Sequence, residues 1–92
     1  MPGWKNYYAS IPMDAWFYPK DYLPFPGART VQISVNCAVF VGYVTINTTT
    51  GGTIGGCHNN SSSEWSAATV SANELVYLSR DNANYGFISG YQ

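Results

Sequence analysis

The clearest pattern in the chain is an alternation of apolar and polar residues that begins at position 30. Val31, Ile33 and Val35 fall on odd positions, and Gln32 and Ser34 lie between them. A period of two residues is typical of a β-strand with one buried face and one solvated face. The sequence therefore predicts a strand that begins at residue 30.

The apolar positions change from odd to even between Val41 and Val44. Two local structures would account for this change. One is a turn near Asn36 and Cys37, and the other is a bulge at Gly42, where the missing Cβ atom permits the slip. Both alternatives predict the same pair of strands, over residues 30–36 and 38–47.

The rest of the chain beyond these strands is also β-like. Residues 47–63 consist mainly of Thr, Gly, Asn and Ser, which predicts a long exposed connection that carries one short strand. Further strands are predicted over residues 64–70, 75–78 and 85–91, with a turn over residues 71–74. Short strands separated by turns at this spacing predict an all-β fold, a small antiparallel β-sandwich or barrel.

Residues 1–29 differ from the rest because all five prolines lie there, together with many aromatic residues. Proline fixes φ, lacks a backbone donor and favours extended geometry in the residue before it. The sequence therefore predicts an extended N-terminal arm, followed by a sandwich domain over residues 30–92. We expect the arm to bind a partner through its aromatic side chains: Trp4, Tyr7, Tyr8, Trp16, Phe17 and Tyr18.

The composition narrows the class of partner. Only 10% of the residues are charged and the formal net charge is −1, whereas nucleic-acid binding needs clustered lysine and arginine. We therefore expect no nucleic-acid partner. No apolar run is long enough to span a bilayer, and the first residues lack the pattern of a signal peptide, so we expect no membrane partner and synthesis in the cytoplasm.

The residue types that carry chemistry are few and scattered. His58 is the only histidine, and the adjacent Cys57 would point to the opposite face of a strand. The carboxylates are isolated, and two cysteines with one histidine cannot supply the four ligands of a zinc site. We expect no enzymatic activity, no catalytic residue, no metal and no cofactor. Cys37 and Cys57 could form a disulfide, but cytoplasmic synthesis favours free thiols.

Residues 65–80 read WSAATVSANELVYLSR. This strand–turn–strand segment resembles the tryptophan-containing pattern of small Ig-like and jelly-roll sandwiches, which recur as accessory proteins in the virions of tailed phages. The resemblance implies a viral structural protein located in the virion, of the capsid decoration (cement) or fibre-tip type. Ala72, Asn73 and Glu74 stand where the pattern usually has a glycine and an aspartate, so no functional residue is carried over.

Two functions follow as hypotheses. The first is a phage capsid decoration protein or other virion accessory, a homo-oligomer such as a trimer, whose arm binds the shell or sister subunits by adding a strand to a sheet edge. The second is a lectin-like or receptor-binding domain that would bind a glycan through Tyr43, Tyr85, Tyr91 or Trp65 with residues 58–60. Four aromatic residues of the strands are expected in the core: Phe40, Trp65, Tyr77 and Phe87. Trp65 therefore has two alternative assignments, the core and the glycan site.

Overall fold

The chain forms two antiparallel β-sheets. The computed structural model describes residues 3–58 and 65–92. Its elements are β1 (Lys5–Ile11), β2 (Trp16–Phe17), a 3₁₀ helix (Pro19–Tyr22), β3 (Thr30–Cys37), β4 (Val41–Thr48), β5 (Gly51–His58), β6 (Trp65–Ser71), β7 (Val76–Leu78) and β8 (Ala83–Tyr91). The prediction of an all-β, antiparallel fold is confirmed.

The strands of the first half of the chain pair with those of the second half in reverse order. β1 pairs with β8, β2 with β7, β3 with β6 and β4 with β5, always antiparallel. Two further ladders, β3–β8 and β4–β7, join these pairs. The result is a first sheet of order β1-β8-β3-β6 and a second sheet of order β2-β7-β4-β5. The chain is one long hairpin folded over on itself.

The two sheets enclose an apolar core in a sandwich-like arrangement. The odd residues of β3 point inward, as their alternation predicts, and Val31, Ile33 and Val35 are fully buried. Val44 and Leu78 of the second sheet belong to the same cluster. Burying a side chain of this size contributes about 1.5–3 kcal/mol. The core is therefore the main source of stability.

The core contains fewer aromatic side chains than expected. Phe40 is exposed, and Tyr77 and Phe87 are only half-buried. The latter two each lie between buried neighbours in their strands, so the alternation turns their rings outward. The Trp65 side chain lies outside the part of the chain that the structure describes. The largest fully buried side chains are aliphatic, among them Ile33, Leu78, Ile88, Val31, Val35, Val44 and Val76.

The structure does not show the extended arm predicted for residues 1–29. β1 and β2 instead supply an edge strand to each sheet. Ile11 and Phe17 are buried in the core that both sheets share. The prolines do not prevent these strands because none of them falls within β1 or β2: Pro12 follows β1 directly, and Pro19 begins the 3₁₀ helix.

The glycine-rich segment is more regular than predicted. β5 pairs along its whole length with β4, and the two strands are joined through Thr49 and Thr50. The expectation of a long connection over residues 47–63 is therefore wrong for residues 47–58. Residues 59–63 lie outside the described part of the chain. Pairing with β4 overrides the low strand propensity of glycine.

The change of apolar phase comes from a turn. β3 ends at Cys37 and β4 begins at Val41, so the chain reverses over residues 38–40. The β4–β5 register continues through Gly42 without a shift. The structure therefore shows a turn, slightly further along the chain than the predicted position at Asn36 and Cys37, which both belong to β3, and it shows no bulge at Gly42.

A disulfide joins Cys37 of β3 to Cys57 of β5, with their Cα atoms 6.0 Å apart. It corrects the expectation of free thiols and links the two sheets covalently. Both cysteines are fully buried, and Cys57 is the only buried residue among residues 51–57. The attachment of β5 therefore depends on its ladder with β4 and on this bond.

Replacing both cysteines tests this dependence. We expect the Cys37→Ala/Cys57→Ala variant to lose roughly 3 kcal/mol of unfolding free energy, as for other disulfides that close loops of similar length. Chemical denaturation followed by tryptophan fluorescence measures the loss. Hydrogen exchange should show the amides of β5 losing protection before those of β3. The reduced wild-type protein is the matched control, and unchanged stability in both would contradict the prediction.

Candidate functional site

The outer face of the first sheet carries a row of three aromatic rings. Tyr8 of β1 lies against Phe87 of β8, with the ring centroids 4.8 Å apart, and Phe87 lies 6.4 Å from Tyr85. Tyr8 exposes 63% of its surface and Tyr85 exposes 47%. Exposed aromatic side chains that lie side by side in this way make the face a candidate binding site.

A β-bulge shapes this face. Tyr7 and Tyr8 of β1 both lie opposite Ser89 of β8, and Ser89 has no partner in the register with β3. The extra residue reverses the alternation, so Tyr91 points inward beside Val31. There it packs edge-on against Tyr7, with the ring centroids 5.9 Å apart. Without the bulge, Tyr91 would lie on the outer face with the aromatic row.

Hydroxyl and amide groups lie on the same face as the rings. Ser34 Oγ donates a hydrogen bond to Ser89 Oγ at 2.9 Å, and Ser89 Oγ donates to Gln32, whose Oε1 atom lies at 3.2 Å and whose backbone oxygen lies at 3.3 Å. The residues at the outward positions of this sheet whose side chains the structure describes are all uncharged: Asn6, Tyr8, Ser10, Thr30, Gln32, Ser34, Asn36, Ala67, Thr69, Ser71, Tyr85, Phe87, Ser89 and Gly90.

A shallow depression of about 410 Å³ lies beside the aromatic row. It is lined by Asn6, Tyr7, Tyr8, Phe87 and Ser89. The lining combines aromatic ring surface with the amide of Asn6 and the hydroxyl groups of Ser89 and the two tyrosines. Such a mixture suits a ligand that has both apolar and hydroxyl-bearing surfaces.

The outer face of the second sheet has a different chemistry. Val41 and Tyr43 of β4 share this face with Ile54 of β5, and they expose 79%, 66% and 66% of their surfaces. We call these three residues the second-sheet patch. Near the other edge of this sheet, the exposed Trp16 packs on Tyr77 with ring centroids 5.3 Å apart. Exposed aliphatic and aromatic side chains together are typical of a protein interface.

β5 forms an edge of the second sheet and is eight residues long. It contains no proline, lysine, arginine, aspartate or glutamate. Charged residues and proline are the usual means by which edge strands resist pairing with another chain. The second-sheet patch therefore adjoins an edge that can accept a further strand.

Three of the six residues predicted to bind a partner are exposed. Tyr8 lies on the outer face of the first sheet, and Trp16 lies on the second sheet. Tyr18 is exposed beside the 3₁₀ helix, with the Lys20 ammonium 5.0 Å from the centre of its ring. Tyr8 and Trp16 therefore lie on different sheets of the fold.

The other three predicted residues are partly or fully covered. Phe17 is buried in the core, 7% exposed. Tyr7 is half-buried against the core. Trp4 is half-buried, and its ring lies close to Gly90: a Cβ atom added to Gly90 would be 3.8 Å from Trp4 Cε3.

The residues predicted for a sugar site are also separated. Tyr85 belongs to the aromatic row, Tyr43 belongs to the second-sheet patch, and Tyr91 is buried. The Trp65 side chain and residues 59–60 lie outside the described part of the chain. The structure therefore does not bring the three described tyrosines together.

Phe87 is the site residue that sequence reasoning missed, because it was assigned to the core. The signal that could have placed it is the alternation in the last strand, where Tyr85, Phe87 and Ser89 occupy odd positions. This alternation shows that the three side chains share one face. It does not show whether that face is inward or outward.

Glu74 holds the turn between β4 and β5. Its Oε1 atom accepts hydrogen bonds from Thr50 Oγ1 at 2.7 Å, from Thr49 Oγ1 at 3.0 Å and from the Thr50 backbone N–H at 3.0 Å. These donors, with the Thr50 hydroxyl the largest contributor, stabilise the carboxylate and lower the pKa of Glu74. The loop between β6 and β7 is thereby tied to the β4–β5 hairpin.

Comparison with known proteins does not identify a function, so any assignment depends on the surfaces of the molecule. No protein family, curated protein or solved structure matches the chain. Within residues 3–58 and 65–92, no group of three or more His, Cys, Asp or Glu residues could hold a metal ion. No helix in the same ranges has the length and apolar character needed to cross a membrane.

The contact between Glu74 and Thr50 should depend on pH. Because the pKa of Glu74 is lowered in the folded state, the stabilisation that its ionised carboxylate gives to the fold is fully present above the pKa of an unfolded glutamate. It is lost as the pH falls through the lowered value. We expect the NMR shift of the Thr50 amide to titrate with a midpoint below that of an ordinary glutamate. Glu74→Gln should abolish this titration, and Thr50→Ala should move the Glu74 midpoint upward; an unshifted midpoint would contradict the assignment.

Proposed function

We propose that the chain is a non-enzymatic structural protein of a virion, of the capsid decoration (cement) type, that associates with protein through its second sheet. The observation that carries the proposal is the strand order of the two sheets, β1-β8-β3-β6 and β2-β7-β4-β5. A hairpin folded over into two four-stranded sheets is the layout of a jelly roll. Jelly rolls occur in viral capsid proteins and in lectin domains.

A jelly-roll layout does not by itself determine a function, which depends on the surfaces that the fold presents. The second-sheet patch supplies one such surface, because Val41, Tyr43 and Ile54 expose aliphatic and aromatic area without a charged group among them. Desolvating such a surface favours association and leaves no charge unpaired. The adjoining edge strand β5 can extend the contact by strand addition.

The disulfide fits a protein that works outside the cytoplasm. Disulfides persist on virions and cell surfaces, whereas the cytosol keeps thiols reduced. A virion protein made in the host cytoplasm would form the Cys37–Cys57 bond only after its release. This order of events reconciles the bond with the expected place of synthesis.

The partner we propose is a second copy of the chain or the capsid shell, in a closed homo-oligomer such as a trimer. A closed ring would bury the patch of every subunit and cover the β5 edges. Trp16 lies on the same outer face and is the one residue of the predicted partner-binding set that would add to this surface.

The mass of the protein in solution tests this proposal. We expect an oligomer for the wild-type chain in size-exclusion chromatography coupled to light scattering. Ile54→Lys should give a monomer, because it places a charge in the middle of the buried contact. A change at a hot spot of this kind weakens association by about 2 kcal/mol or more.

Thr69→Lys is the matched control, since it adds the same charge at an exposed strand position on the other sheet. It should leave the oligomer intact. A wild-type protein that is monomeric at all concentrations would contradict self-association. If Thr69→Lys dissociated the oligomer and Ile54→Lys left it intact, the interface would lie on the first sheet and the proposal would be wrong.

A further inference from the structure

We propose that the outer face of the first sheet binds a neutral oligosaccharide. The ligand would lie in the depression lined by Tyr8, Phe87, Asn6 and Ser89. This inference goes beyond the virion role, because it concerns the opposite face of the molecule from the second-sheet patch. Each proposal can therefore fail without the other.

The charge of this face selects the class of ligand. Its described outward side chains are hydroxyls, amides, aromatic rings and small residues, without lysine, arginine, aspartate or glutamate. An acidic polysaccharide, a nucleic acid or an anionic lipid surface would need basic side chains to balance its charge. A neutral sugar needs none, and it leaves no buried charge when it displaces water.

The aromatic row supplies the apolar part of the recognition. A pyranose has a face of C–H groups, which packs on an aromatic ring, and a rim of hydroxyl groups. Tyr8 is the most exposed ring of the row, 63% accessible, and it lies against Phe87 at an interplanar angle of 33°. Because Phe87 supports Tyr8 before any ligand arrives, little side-chain entropy is lost on binding.

The polar part of the recognition is also organised in advance. Ser34 donates to Ser89, and Ser89 donates to the Gln32 side-chain oxygen. Because the side-chain oxygen of Gln32 accepts from Ser89, the Nε2 group of Gln32 remains as a donor for a ligand. The Asn6 amide offers both a donor and an acceptor. Sugar hydroxyls donate and accept hydrogen bonds, so they match this set.

A protein partner fits this face less well than it fits the second sheet. The second-sheet patch exposes the branched aliphatic side chains of Val41 and Ile54, which offer no flat ring to a sugar. The described outward positions of the first sheet contain no branched aliphatic side chain. The two faces therefore differ in the ligand that each can bury without leaving polar groups unsatisfied.

Titration of ¹⁵N-labelled protein with cellohexaose, mannohexaose and chitohexaose tests the proposal, with hyaluronan as the acidic comparison. We expect at least one neutral oligosaccharide to shift the amide signals of Asn6, Tyr8 and Ser89. Its affinity should not change with salt, because no ion pair forms. Tyr8→Ala should weaken binding by about tenfold or more, the loss of one ring contact.

Two variants serve as controls. Tyr8→Phe keeps the ring and should keep the affinity, and Phe40→Ala removes a similarly exposed ring from the turn between β3 and β4 and should have no effect. Absence of binding by all three neutral oligosaccharides, or binding of hyaluronan alone, would overturn the proposal. So would a Tyr8→Ala protein that binds sugar normally but loses self-association, since the face would then be a protein interface.

Discussion

The disulfide between Cys37 and Cys57 is the constraint on which the position of the β4–β5 hairpin depends. β5 contributes glycine and exposed side chains at most positions, so it gains little from the hydrophobic core. The bond fixes the end of β5 next to β3, and Glu74 fixes the other end of the hairpin through Thr49 and Thr50. A hairpin held at both ends presents its outer side chains as a rigid surface.

The parts of the fold that could be read from the sequence are those with a regular period. β3 was predictable because Val31, Ile33 and Val35 keep one phase, and β6, β7 and β8 were found close to their observed bounds. β1, β2 and β5 were not found, because the number of prolines or glycines in a segment does not show whether their spacing leaves room for a strand. The disulfide depended on strand pairing between distant segments, which no local pattern contains.

The candidate site was only partly predictable for a related reason. Alternation tells which side chains share a face of a strand, but burial depends on which sheet lies across from it. Phe87 was therefore assigned to the core, and Tyr91 to an exposed site. The bulge at Ser89 instead turns the Tyr91 side chain inward, opposite Val31. Tyr8 was named as a contact residue, but its role comes from β1 and not from an arm.

The reversed pairing of the two halves has a consequence for the order in which the molecule can form. The innermost pair, β4 with β5, joins segments that are close in sequence, whereas β1 and β8 lie at opposite ends of the described chain. Closing long loops early is entropically unfavourable, and such topologies fold slowly. We expect nucleation at the β4–β5 turn and zippering outward. During synthesis on the ribosome, β1 and β3 therefore remain without β8, the strand that pairs with both of them, until it has been synthesised.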